Sequence, residues 1–164
     1  MQYTYILLLG GNLGNVTQTF EEAISLIKKK GELNSKTSLY KTAPWGFDEH
    51  VPAFYNQALE ISINYEPLEL LDFLQGIEKT LGREAKTQNG KYTSRTIDID
   101  IIFCGSIVMN TPRLTIPHPQ IQNRRFVLEP LNEKWPHFVH PVLKQNIATI
   151  LSNCADCSEV TITD

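Results

Sequence analysis

Apolar residues recur along this chain with two periods, close to two and close to 3.6, and the switches between them mark out its elements. Residues 3–9 form an almost continuous aromatic and aliphatic run, the pattern of a buried strand. Gly10 and Gly11 break it, and Asn15 is a good N-cap for a helix. Val16, Phe20, Ala23, Ile24 and Ile27 then fall on one helical face, while Lys28, Lys29 and Lys30 suit the negative end of that helix and Gly31 stops it. A second strand is predicted over residues 37–42 and a third, cleanly alternating, over 58–63. Pro67 fits the first position of a second helix, marked by Leu68, Leu71, Leu74 and Leu81 and ended by Gly82. Beyond Phe103, residues 107–109 and 113–116 read as a hairpin, and residues 121–128 as one or two helical turns stopping before Pro130. A short helix near 146–151 and a final apolar strand at 160–162 complete the pattern.

Between the second helix and the hairpin lies the most informative stretch. Ile97, Ile99 and Ile101 alternate with Asp98 and Asp100, so this is a strand with an isoleucine face and a carboxylate face. Side chains two apart on one face stand roughly 6–7 Å from each other. Two carboxylates so placed repel each other and need a cation. Arginine can serve, and so can Mg²⁺, which takes one or two carboxylates plus substrate phosphates. An edge strand with a solvated acidic face is the alternative that the stretch alone leaves open. The order through Phe103 is β-α-β-β-α-β. The predicted class is therefore α+β: a ferredoxin-like core with an antiparallel sheet and both helices on one face, followed by a C-terminal hairpin and short helices. No linker or repeat divides the chain, so residues 1–164 are expected to form one domain.

Composition narrows the function classes. Hydrophobic residues make up 41% and charged residues 20%, which disfavours both disorder and a membrane protein. A net charge of −3 lacks the basic footprint of nucleic-acid binding, though it leaves room for a local anion site. No basic, apolar leader precedes the first strand, and the cysteine count is odd. The expectation is a cytoplasmic protein with reduced thiols. Cys154 and Cys157 have Cys-x-x-Cys spacing without a second pair, which is half a zinc site at most. The glycines after the first strand match neither a dinucleotide fingerprint nor a P-loop, so a tight turn is expected there.

Several motifs occur together in one order: LLLGGNLGN, YKTAPWGF, FYNQALEI, IEKTLGR, RTIDIDIIF and RLTIPHPQIQNRRFVLEPL. Together they resemble the 6-hydroxymethyl-7,8-dihydropterin pyrophosphokinases, folate-pathway enzymes that move pyrophosphate from ATP to the pterin. The resemblance covers residues 1–131 and implies ATP as co-substrate, two Mg²⁺ ions, small-molecule partners only and a monomer. It implies Asp98 and Asp100 as metal ligands and, with Arg83 and Arg95, as the catalytic group. Gln75, Glu78, Arg83, Arg95, Ile101, Arg113, Thr115, His118 and Arg124 would surround the nucleotide. Phe54 and Phe126 would sandwich the pterin, with Thr42, Pro44, Trp45, Asn56 and Tyr92 completing its site. Residues 82–94 would act as a lid, although Ala85 and the Tyr92-Thr93-Ser94 run depart from the family's pattern. Two rival readings stay open on sequence: a ferredoxin-like ligand-sensing or RNA-binding module, and a pterin enzyme that works without ATP.

Overall fold

The computed structural model describes residues 1–43, 52–82 and 96–163. Strand β1 (Tyr3–Gly11) lies near the middle of the main sheet, with Leu7 and Leu9 fully buried on one face and Ile6 and Leu8 buried on the other. Helix α1 (Val16–Lys28) begins where predicted, and the Asn15 side chain accepts from the Gln18 N–H at 3.1 Å. Its predicted face of Val16, Phe20, Ala23, Ile24 and Ile27 is the buried one.

The second strand differs from expectation. The chain enters the sheet at Gly31, six residues early, as β2 (Gly31–Lys36), and continues as β3 (Leu39–Thr42). Both pair antiparallel with β4 (Phe54–Ile63), which starts four residues earlier than its alternation indicated. The register slips once between Leu33 and Ser35. At the break between β2 and β3 the Thr37 hydroxyl takes over the ladder, accepting from the Ala58 N–H at 3.1 Å. β2 escapes the pattern because it is polar and half exposed, with Leu33 its single large apolar side chain.

Helix α2 (Pro67–Gly82) follows, and its phase is shifted from the leucines that mark it in the sequence. Leu70, Leu74 and Ile77 are buried, whereas Leu71 and Leu81 only flank the core. Strand β5 (Asp98–Phe103) pairs antiparallel with β1. The order β5-β1-β4-β3, with β2 also against β4, is the ferredoxin-like arrangement, and α1 and α2 cover one face of it. Among the described residues, no helix is long and apolar enough to cross a membrane.

The C-terminal third builds onto the other face. The hairpin shrinks to β6 (Met109–Asn110) and β7 (Thr115–Ile116). A 3₁₀ turn at Ile121–Asn123 leads into α3 (Arg125–Lys134), which runs through Pro130 instead of stopping before it. A proline inside a helix costs about 3 kcal/mol. Leu128 and Leu131, both fully buried, offset it at about 1.5–3 kcal/mol each. Helix α4 (Ile147–Ser152) is capped by Asn146, and β8 (Val160–Thr163) joins the edge of the main sheet against β3. Glu133 of α3 accepts from the Ser38 N–H and from the Tyr40 hydroxyl at 2.6 Å, which ties the helix to β3. Burial and that carboxylate together push the Tyr40 phenol well above its ordinary range.

Candidate active site

Residues directly opposite each other in a sheet share a face, so the register alone lays out the floor of the site. Asp98 lies opposite Gly10, Gly10 opposite Asn56, and Asn56 opposite Tyr40. In the row on one side, Asp100 faces Leu8 and Leu8 faces Ala58; in the row on the other side, Thr42 pairs with Phe54. α3 and α4 bury the Ile6, Leu8 and Ala58 part of this face. The remainder is a pocket of about 480 Å³. Its floor carries Gly10, Asn56, Asp98 and Asp100, and its walls carry Thr42, Phe54, Arg124 and Phe126.

Polar groups in this pocket are set for a ligand. The Asn56 amide donates to the Leu9 carbonyl at 3.1 Å, which turns its oxygen away from β1 as an acceptor. A Cβ at Gly10 would come within 2.9 Å of that amide nitrogen, so the close approach depends on glycine. The Thr42 hydroxyl is buried and finds no hydrogen-bond partner among the described residues, a costly state unless something polar enters. The Arg124 guanidinium stands 5.8 Å from the centre of the Phe126 ring, within cation–π reach.

Asp98 is half buried and Asp100 exposed, and both face the pocket while Ile99 and Ile101 enter the helix-side core. Ile101 therefore has only its backbone to offer a nucleotide. β5 is the sheet edge, and its outward Ile99 N–H donates to the Glu78 carboxylate at 2.6 Å. Glu78 thus fixes the strand between its two aspartates. Gln75 and Glu78 share a second groove, beside α2, with Asp98 at its rim. Thr115 and His118 line a third, smaller hollow at the hairpin. Arg113 is drawn to the α2 flank by an ion pair with Asp72. His118 Nδ1 accepts from the Gln120 N–H, so its neutral form carries the proton on Nε2. Burial holds this imidazole below its ordinary pKa, against a pull upward from Asp100, and Arg124 pushes it further down.

The structure thus brings Thr42, Phe54, Asn56, Asp98, Asp100, Arg124 and Phe126 into one pocket, with the other described candidates around Asp98 and the hairpin. Pro44, Trp45, Arg83, Tyr92 and Arg95, and with them the predicted lid, lie outside the described residues. Leu8, Gly10 and Ala43 also line the pocket; they lie within the LLLGGNLGN and YKTAPWGF motifs, but their side chains carry no polar group that marks them singly. Buried His140 likewise carries no sequence signal; its Nδ1 accepts from the Val142 and Leu143 N–H groups.

Comparison with known proteins identifies the family. Residues 6–136 match the model of the 7,8-dihydro-6-hydroxymethylpterin-pyrophosphokinase family. A 2-amino-4-hydroxy-6-hydroxymethyldihydropteridine pyrophosphokinase from Porphyromonas gingivalis is 36% identical over 82% of this chain and 92% of its own length. The folic acid synthesis protein fol1 of Pneumocystis carinii is 40% identical over 90% of this chain, which spans only 20% of that longer protein. The fold is similar to that of the wild-type Plasmodium falciparum HPPK-DHPS crystal structure, with a TM-score of 0.75 over 93% of this chain and 44% of that one, at 17% identity. By its sequence from residue 6 to residue 136, and by the sheet those residues build, the chain belongs to the 7,8-dihydro-6-hydroxymethylpterin-pyrophosphokinase family.

Proposed function

We propose that this chain transfers pyrophosphate from ATP to 6-hydroxymethyl-7,8-dihydropterin, yielding the pterin pyrophosphate and AMP in folate synthesis. The family uses ATP as co-substrate. The observation that carries the reading is the shared pocket: paired carboxylates open into the same space as two aromatic rings, an oriented amide and a buried hydroxyl without a partner among the described residues. A flat heteroaromatic ring suits Phe54 and Phe126, and its donor edge suits the Asn56 oxygen. Asp98 and Asp100 lie on the floor, where the pterin's reacting arm and the triphosphate would meet.

The pterin hydroxymethyl oxygen attacks the β-phosphorus of ATP and forms an O–P bond. The bond from that phosphorus to the bridging oxygen breaks, AMP leaves with the electron pair, and the hydroxyl proton is lost to solvent. Such a transfer needs positioning and charge neutralisation rather than a covalent intermediate. Arg124 and the His118 Nε2–H would meet phosphate oxygens, and the ring walls would hold the pterin in line. Arg83 and Arg95 belong to the same proposal as phosphate-side cations. Two carboxylates on one strand face fit Mg²⁺ that draws its remaining ligands from phosphate and water. Asp98 and Asp100 would hold two Mg²⁺ ions, which would neutralise the triphosphate charge. The same reading makes the protein a cytoplasmic monomer acting on small molecules and not on nucleic acid, in keeping with its net charge of −3.

The test is AMP release from ATP by the purified chain with Mg²⁺ and 6-hydroxymethyl-7,8-dihydropterin. Release that requires both substrates is expected. Pterin turnover without nucleotide, or no AMP at all, overturns the reading.

A further inference from the structure

Helix α3 opens in a way that isolated helices avoid. Its N-cap residue is Arg124, which supplies no capping side chain, and its first turn contains no acidic residue. Two arginines therefore stand at the positive end of the helix dipole, where anionic groups are favoured. Arg124 and Phe126 are bound to this place because both face the ligand pocket. The missing cap comes from 31 residues further on. The Asp156 carboxylate accepts from the Arg125 N–H at 3.0 Å, and the Asp156 carbonyl accepts from Arg125 Nε at 2.8 Å. Its other carboxylate oxygen accepts from the Ser158 N–H at 2.9 Å and from the Ser158 hydroxyl. Arg125 also pairs with Glu129 at 3.1 Å. Burial raises the Asp156 pKa, but the Ser158 and Arg125 donors outweigh it and hold the carboxyl below its usual range.

Four residues past Asp156 the chain becomes β8, and Val160 pairs with Thr42. The tail thus runs from the Arg124–Phe126 wall of the pocket to its Thr42 wall. We propose that Asp156 is a positioning residue for the pterin: it caps α3 in trans and, through the tail, sets the spacing between the Phe126 wall and the Thr42–Phe54 wall. Asp156 does not line the pocket, and it lies beyond the segment that matches the family model. The inference rests on the pyrophosphokinase reading, since it takes the pocket's ligand to be the pterin.

The test compares the full chain with Asp156→Ala, Asp156→Asn and Asn146→Ala. The last variant removes the cap of α4, whose Asn146 side chain accepts from the Thr149 N–H at 2.9 Å. Dissociation constants for 6-hydroxymethyl-7,8-dihydropterin, in the presence of a non-hydrolysable ATP analogue, and for the analogue alone are measured with the melting temperature. Asp156→Ala should weaken pterin binding about three- to thirtyfold, the range that loss of one cap converts to, and change analogue binding less than about twofold. Asp156→Asn should fall between, because its one remaining oxygen can cap Arg125 or hold Ser158 but not both. Asn146→Ala should lower the melting temperature to a similar degree and leave pterin affinity unchanged. Wild-type pterin affinity in Asp156→Ala overturns the inference, as does an equal loss in Asn146→Ala or an equal loss of both ligands. If Asp156→Ala does not fold, Asp156→Asn decides by the same criteria. Lack of AMP release by the wild type strikes the pyrophosphokinase reading; release with unaltered pterin binding in the Asp156 variants strikes this inference alone.

Discussion

The two faces of the main sheet share every strand and differ in how they are covered. On one side, α1 and α2 seal the face end to end, and Leu7, Leu9, Leu59, Ile61, Leu70 and Leu74 are fully buried there. On the other, α3 and α4 bury Leu8, Ala58 and, through Glu133, Tyr40, and the part left open carries Gly10, Asn56, Asp98 and Thr42. The sealed face has few polar side chains to satisfy and holds the fold. The half-open face leaves the Thr42 hydroxyl, unpartnered among the described residues, beside two adjacent carboxylates, and a polar ligand would satisfy that hydroxyl. Stability and chemistry are thereby placed on opposite sides of the same strands, and they should respond separately to mutation.

The strongest test of that separation is Asp98→Asn or Asp100→Asn. Losing metal-assisted charge stabilisation should lower turnover on the order of a thousandfold, several kcal/mol of barrier. The melting temperature should hold or rise, because one of two crowded carboxylates is gone. Near-normal turnover at saturating Mg²⁺ would remove these residues from the reaction, and a large fall in melting temperature would make them structural.

Leu74→Ala is the converse. It should cost about 2–5 kcal/mol of unfolding free energy in urea and leave ligand affinities of the folded protein unchanged. A selective loss of pterin binding would show that the sealed face also shapes the pocket. A smaller effect is expected from Phe54→Ala and Phe126→Ala. Each should weaken pterin binding by at least about 0.5–1.5 kcal/mol, the stacking contribution alone, with little change for nucleotide. Equal losses for both ligands would assign the rings to general packing.

The smallest effect concerns protons. Burial lowers the His140 pKa, so the unfolded chain takes up a proton more readily than the folded one. The resulting stability is fully present above the unfolded value of about 6.5 and is lost as pH falls through the folded one. Urea midpoints should therefore decline from pH 7.5 to pH 5.5. The decline should be shallower in His140→Asn, whose side-chain oxygen can still accept from Val142 and Leu143. Identical slopes would show that His140 does not titrate with unfolding.

Much of this fold is legible in the amino-acid sequence, for a physical reason. α1, the carboxylate strand and the hairpin declare themselves because burial on one side and water on the other impose a period on local sequence. The β-α-β-β-α-β order follows from those local signals. β2 is not legible because an edge strand facing water needs no apolar alternation, and Leu33 alone cannot mark it. The run of α3 through Pro130 is hidden as well, since the compensation lies in the packing of Leu128 and Leu131 against other elements.

The site divides along the same line. Asp98 and Asp100 are readable as a pair because their relation is two residues long. That Gly10, Asn56 and Thr42 lie in adjoining cross-strand rows with them depends on register between strands far apart in sequence. The cap that Asp156 places on α3 depends on the C-terminal tail returning to a helix 31 residues earlier. The sequence determined which residues alternate, cap and turn, since those forces act over a few bonds. Only the tertiary structure decided which face stayed open and what met there, because pairing and packing join residues whose separation along the chain carries no local signal.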